Sequence, residues 1–286
     1  MREQICNFGA NNGLFGILTS PDDDAKLADA PVAIILNAGI VHRVGPFRMH
    51  VDIARQLAAK GFSTLRMDLS GLGDSAPRTG KLKSAERAEL DVQDAMKYLT
   101  QNEGANRFVL VGLCSGAYNA HRVAAKDQRV VGAVFLDGLV FRTLGYFFRD
   151  KLKYLRPRFW RNAFKRRFSL DQNPSDEAAG NALAESEFFA GNLSQASVTK
   201  DLNHMMQRAV QMLFLYTDGY DDICGRSQFK EMYGLRPNDA QLQVDYYPKS
   251  EHTFRLIENR KAACDRIANW FATRFASESL AKSMSA

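Results

Sequence analysis

Residues 108–117 read F-V-L-V-G-L-C-S-G-A, an apolar run of strand length that stops abruptly and continues with helical character. No other stretch constrains the fold as strongly. Gly112 and Gly116 remove the side chains that would collide where a strand reverses into a helix, so Cys114 is expected on a sharp strand-to-helix turn. Its sulfur then lies at the helix N-terminus, whose positive pole favours a thiolate, and the Ser115 backbone N–H is free to donate to an oxyanion. The competing interpretation is a buried cysteine that acts as a small hydrophobe. The rest of the chain decides between the two.

Around this turn, apolar runs of strand length alternate with amphipathic segments. Gln4–Phe8 and Gly13–Thr19 are expected as a hairpin about the Asn12-Gly13 turn, followed by strands at Val32–Leu36 and Phe62–Asp68. Helices are expected at about Phe47–Lys60 and Lys83–Asn102, and after the elbow to about Lys126. Val130–Asp137 is the next strand. Strands at Val210–Tyr216 and Gln241–Tyr247, with helices near Ser227–Tyr233 and from Phe254 to Phe275, complete the series. Such alternation calls for an α/β architecture, a mostly parallel central sheet with helices on both faces. From Gly138 to about Asn203 the alternation breaks. The expected organisation is a core of residues 1–137 and 205–286, with 138–204 as an inserted helical cap.

Composition suits one large domain with an insertion: 286 residues, 45% hydrophobic and 24% charged. No apolar run reaches the length of a membrane span, and the first residues lack the basic-then-apolar opening of a secretory signal, so a cytoplasmic location is expected. Cys6, Cys114, Cys224 and Cys264 show no metal-ligand spacing and no disulfide framework, so neither metal nor organic cofactor is called for. The net charge of +6 is local, because Phe141–Phe168 alone carries ten Lys or Arg and one acid. A generally nucleic-acid-coating protein is thereby disfavoured. Leu144, Phe148, Leu152 and Leu155 share one helical face, and Pro157 divides two helices. The segment is either a lid with solvated charges, a docking surface for an acidic acyl or peptidyl carrier protein or a phosphate-bearing substrate, or a membrane-surface contact.

G-L-C-S-G resembles the nucleophile elbow of the α/β-hydrolase superfamily, usually G-x-S-x-G, in which a minority such as the dienelactone hydrolases carry cysteine. The resemblance extends from Val32 to about Phe275 and implies an α/β-hydrolase fold. It also implies the chain order nucleophile, acid, histidine, with the acid after a late strand and the histidine after the last. His252 occupies the last position. The acid is expected in Thr217-Asp218-Gly219-Tyr220-Asp221-Asp222, with Asp221 favoured, Asp218 next, and Asp222 as a helix cap. A second oxyanion donor is expected from Asn37-Ala38-Gly39-Ile40, through the N–H of Gly39 or Ile40, where the superfamily usually has His-Gly. Asp68-Leu69-Ser70-Gly71-Leu72-Gly73-Asp74-Ser75 resembles the superfamily's D-x-R-G-x-G-x-S turn, with Ser70 in place of arginine. Pairing N-A-G-x-x-H-R-x-G-P-x-R with G-L-C-S-G resembles bacterial uncharacterised hydrolases related to exosortase-associated hydrolases.

His42, Arg43 and Arg48 are expected to face the site as substrate contacts, whereas His50, His121 and His204 are weaker candidates for the base. These features together lead to an acyl-transfer enzyme with a Cys-His-Asp triad. Its expected substrates are thioesters or activated esters, because a thioester intermediate keeps the acyl group activated. The alternatives are a catalytically silent binding protein of the same fold and a site that uses Ser115 as nucleophile.

Overall fold

The computed structural model describes residues 1–152, 193–220, 222–236 and 241–276, and side chains 150–152 are not described. Eight strands form one sheet in the order β1-β2-β4-β3-β5-β6-β7-β8. They are β1 (Arg2–Phe8), β2 (Leu14–Ser20), β3 (Val32–Ile35), β4 (Thr64–Met67), β5 (Phe108–Leu113), β6 (Val130–Leu136), β7 (Gln211–Thr217) and β8 (Leu242–Tyr247). β1 pairs antiparallel with β2, and β2 with β4, while all pairings from β4 to β8 are parallel.

The central strands are apolar on both faces because helices cover both. α2 (Ser84–Glu103), α3 (Ser115–Lys126) and α5 (Gln195–Gln207) bury Val92, Ala120 and Leu202 with Ile34, Leu110 and Phe214 on one side of the sheet. α1 (Met49–Ala58) and α7 (Ile257–Phe271) bury Ile53, Leu57 and Ile267 with Ile35, Val109 and Leu213 on the other. α4 (Leu144–Leu152) follows β6, and α6 (Gln228–Tyr233) lies between β7 and β8.

One sequence expectation needs correction here. The last part of the segment expected as cap, α5, buries Val198, Leu202 and Met205 in the main core, so it is a layer of the sheet sandwich. On α4, Leu144 and Phe148 are exposed, and the inward aromatic is Tyr146. Leu155, Pro157 and most of the basic run lie outside the described residues. Of the basic residues that are described, Arg142 pairs with Asp222 and Arg149 with Glu231, so these two charges are already met within the fold. Among the described residues no helix is long and apolar enough to cross a membrane.

Candidate active site

The G-L-C-S-G junction folds as its glycines require. Cys114 follows β5 directly and adopts φ 55° and ψ −119° before α3 begins. Positive φ in a residue with a side chain stores about 1–3 kcal/mol of strain, tolerated where the surroundings fix it. Here the tight crossing does so. A Cβ on Gly112 would lie 2.2 Å from the Gly116 carbonyl, and one on Gly116 would lie 2.6 Å from the Asn37 carbonyl oxygen. The Cys114 N–H donates to the Leu136 carbonyl at 2.9 Å, so the elbow is set directly beside the end of β6.

Next to that neighbour a carboxylate meets the imidazole of His252. Asp137, the residue after β6, is fully buried, and its Oδ2 meets His252 Nδ1 at 3.1 Å. Thr217, at the end of β7, donates its N–H to Asp137 Oδ1 at 2.7 Å and its hydroxyl to Oδ2 at 2.5 Å. Among the described residues, the carboxylate at the imidazole is therefore Asp137 and not Asp218 of the β7 turn. Asp218 is exposed and accepts the Tyr246 hydroxyl at 2.8 Å, Asp222 pairs with Arg142 at 2.6 Å, and Asp221 lies outside the described residues. The physical reason is adjacency. β6 pairs with β5, the strand that leads into Cys114, so the residue after β6 reaches the elbow, while the β7 turn is one strand further out and contributes Thr217 as a donor. Asp137 ends an apolar strand at the carboxyl edge of the sheet, which was a readable signal.

His252 comes from the loop after β8. Gly219 lets this loop approach, since a Cβ there would lie 2.6 Å from the His252 nitrogen, and Gly219 N–H donates to Ser250 O at 2.9 Å. Tyr220 packs its ring against the imidazole, centroids 5.1 Å apart. Burial works against a charged imidazole, but hydrogen bonding to Asp137 and to the Cys114 side chain outweighs it and holds the His252 proton up to about 10. The ring thus stands between the buried carboxylate and the sulfur, with Nε2 left for the sulfur side. Burial also pushes the Tyr220 hydroxyl upward, so this wall of the site stays uncharged.

On the other side of the elbow, Gly39 has φ +57° and its N–H donates to Ser115 Oγ at 2.7 Å. The structure therefore brings Gly39 to the elbow, whereas Ile40 is 63% exposed. The loop is held from beneath. Asn37 Nδ2 donates to Val41 O at 2.9 Å and to Asp68 Oδ1 at 3.1 Å, and its Oδ1 accepts the Leu69 N–H at 2.7 Å. Arg43 was expected to contact substrate, but its guanidinium is committed to buried Asp68 at 2.5 Å and to Asp74 at 2.7 Å. It brings a guanidinium to the turn in which Ser70 stands in place of arginine.

His42 and Arg48 are exposed, and His42 Nδ1 accepts the Val44 N–H at 3.4 Å. His50 and His121 are buried and held down to about 4, chiefly by burial, hence neutral, and His204 is exposed on α5. Among the described residues no group of three or more His, Cys, Asp or Glu is placed to hold a metal ion.

Comparison with known proteins agrees with this architecture. The Pyrococcus furiosus esterase PF2001 superposes with a TM-score of 0.63 at 15% identity, over 96% of this chain and 91% of that one. XC6422 from Xanthomonas campestris, described as an a/b serine hydrolase without lid, superposes with a TM-score of 0.52 at 15% identity, over 94% of each chain. At such identity the likeness is one of fold. In sequence, the uncharacterised protein YcjY of Escherichia coli K12 is 23% identical over 200 residues, a match spanning 68% of this chain and 61% of that protein's length. Residues 33–255, which include Cys114, Asp137 and His252, match the family described as Hydrolase_4, serine aminopeptidase, S33, and the chain belongs to that family of α/β hydrolases.

Proposed function

We propose that this α/β hydrolase cleaves or transfers acyl groups through an acyl-cysteine intermediate, with Cys114 as nucleophile, His252 as proton carrier and Asp137 as the orienting carboxylate. The observation that carries the reading is the imidazole itself: His252 is bonded through Nδ1 to a buried carboxylate and attracted on its other side to the sulfur of a strained elbow. In this reading the sulfur's proton passes to the imidazole as sulfur attacks, and the buried carboxylate stabilises the imidazolium that forms.

In the first half-reaction the Cys114 sulfur forms a bond to the substrate carbonyl carbon, and the carbonyl π pair moves to oxygen. The Ser115 N–H in the first turn of α3 stabilises that oxyanion, and the Gly39 N–H joins it by exchanging its bond to Ser115 Oγ. When the oxyanion collapses, the leaving thiolate or alkoxide takes the His252 proton. Water or another nucleophile then gives a proton to His252 as it attacks the acyl carbon, and the C–S bond breaks as the sulfur takes that proton back. Thioesters and activated esters suit this sequence, because a thiolate expels them readily and an acyl-cysteine preserves their activation.

Relatives of this fold are described as serine hydrolases, and this chain carries serine at 115. Two facts support Cys114 over Ser115: the Ser115 side chain is 2% exposed, and its oxygen is held by the Gly39 N–H.

Intact-mass spectrometry after incubation with butyryl and acetyl thioesters tests the reading. One acyl group per chain, mapped to the Cys114 peptide and absent in Cys114→Ala, is expected. An adduct on Ser115, or full turnover by Cys114→Ala, overturns it.

A further inference from the structure

Beside the elbow lies a cavity of about 220 Å³, with Gly39 and Ser115 in its wall. At about 30 Å³ per non-hydrogen atom it has room for roughly seven such atoms. Leu69, Leu72 and Ala88 make its sides apolar, as a short carbon chain requires. Its remaining lining is polar, and there the chemistry is specific.

Arg87 and Ser84 enter from the first turn of α2, and Ser70 from the loop after β4. Arg87 is half-buried and has no ion pair among the described residues. Ser70 Oγ is buried without any hydrogen-bond partner, a cost of about 1–3 kcal/mol unless something else supplies one. The first backbone N–H groups of α2 add the positive end of a twenty-residue helix, with no side-chain hydrogen bond from Lys83 at the N-cap. One carboxylate, Asp91, is itself part of the cavity wall and a second, Glu86, lies on the same turn of α2; both are engaged. Asp91 accepts from the Ser70 N–H at 2.7 Å and from Arg78 Nε at 2.8 Å, and exposed Glu86 turns back to the Lys83 N–H at 2.9 Å.

We propose that this cavity takes a short acyl chain ending in a carboxylate, so that the preferred substrates are half-thioesters or half-esters of small dicarboxylic acids. The acyl carbonyl lies at Cys114 with its oxygen toward Gly39 and Ser115, the methylenes run along the leucines, and the terminal carboxylate meets Arg87 at the opening turn of α2. A four- to six-carbon diacid fits the volume, and a longer one does not. The proposal rests on the acyl-cysteine reading but can fail independently of it.

The probes are succinyl and butyryl thioesters of N-acetylcysteamine, alike in chain length and different in terminal charge. The wild-type protein is expected to have a higher kcat/KM for the succinyl probe. Arg87→Met should lower that value about 10- to 100-fold and leave the butyryl value within about threefold, because an arginine–carboxylate pair is lost only with the charged probe. A thermal melt of the variant establishes that it folds. Wild-type preference for butyryl, or an equal loss with both probes, overturns the proposal while leaving acylation of Cys114 standing. No acylation by either probe overturns the reading on which it rests.

Discussion

Asp137→Asn is the substitution that most directly tests the site. Asp137 is buried and receives two hydrogen bonds from Thr217 as well as the imidazole contact at 3.1 Å. Asparagine fills the same volume, and its oxygen can still accept from the Thr217 N–H. Its amide nitrogen replaces an acceptor, so either the Thr217 hydroxyl loses its partner or the imidazole is met by a donor. The fold should survive with a loss of about 1–3 kcal/mol, one unsatisfied buried group. Catalysis should suffer far more. An amide donor at Nδ1 favours the tautomer whose Nε2 already carries hydrogen, and the charge that holds the His252 proton disappears. Removing the carboxylate behind a catalytic imidazole costs about 10³–10⁴-fold in kcat, or about 4–5.5 kcal/mol of barrier. The imidazole titration, followed by NMR, should fall from about 10 toward or below the ordinary value near 6.5, because burial continues to oppose the charge. Steady-state hydrolysis of a butyryl thioester, compared among Asp137→Asn, Asp218→Asn and Asp221→Asn, separates the candidates. Full activity in Asp137→Asn together with collapse in Asp221→Asn would refute the assignment.

Further outcomes follow from the same geometry. His252 binds its proton more tightly folded than unfolded, so its contribution to stability is complete below about pH 6.5 and is lost as pH rises through about 10. Urea midpoints of wild type and His252→Gln should converge over that window. The rate of Cys114 alkylation by iodoacetamide at fixed pH should fall in His252→Ala, which removes the imidazole that faces the sulfur. Gly219→Ala places a Cβ 2.6 Å from the His252 nitrogen and should lower kcat about 10²-fold, since an imidazole displaced by about 1 Å loses its alignment. Arg43→Ala removes the cationic partner of buried Asp68 and should destabilise the protein by about 3–5 kcal/mol in chemical denaturation.

Most of the sheet was legible because each central strand is a short continuous apolar run, and glycines mark the one turn where the chain must reverse sharply. His252 was legible for a related reason: it sits just past the last such run. Asp137 was not read, although it ends a strand in the same manner, because the three acidic residues between Asp218 and Asp222 drew the assignment to the next turn. Linear spacing does not show that β6, rather than β7, abuts β5. The commitment of Arg43 was hidden likewise, since its partners Asp68 and Asp74 lie on the neighbouring loop and only folding brings the charges together. The inner position of α5 follows from tertiary packing against α3, which the local sequence of a segment without a preceding strand signal does not announce.

The clasp at Asp68 yokes two loops into one rigid jaw. Asn37 and Arg43 fasten the segment that carries Gly39 to the segment that carries Leu69 and Ser70, so whatever shifts one shifts the other. Selectivity for the acyl tail and stabilisation of the reacting carbonyl are mechanically inseparable on that flank. The opening turn of α2, with Ser84 and Arg87, lines the same cavity without a bond to Asp68, so it is a wall where acyl preference can change with less disturbance of the carbonyl side.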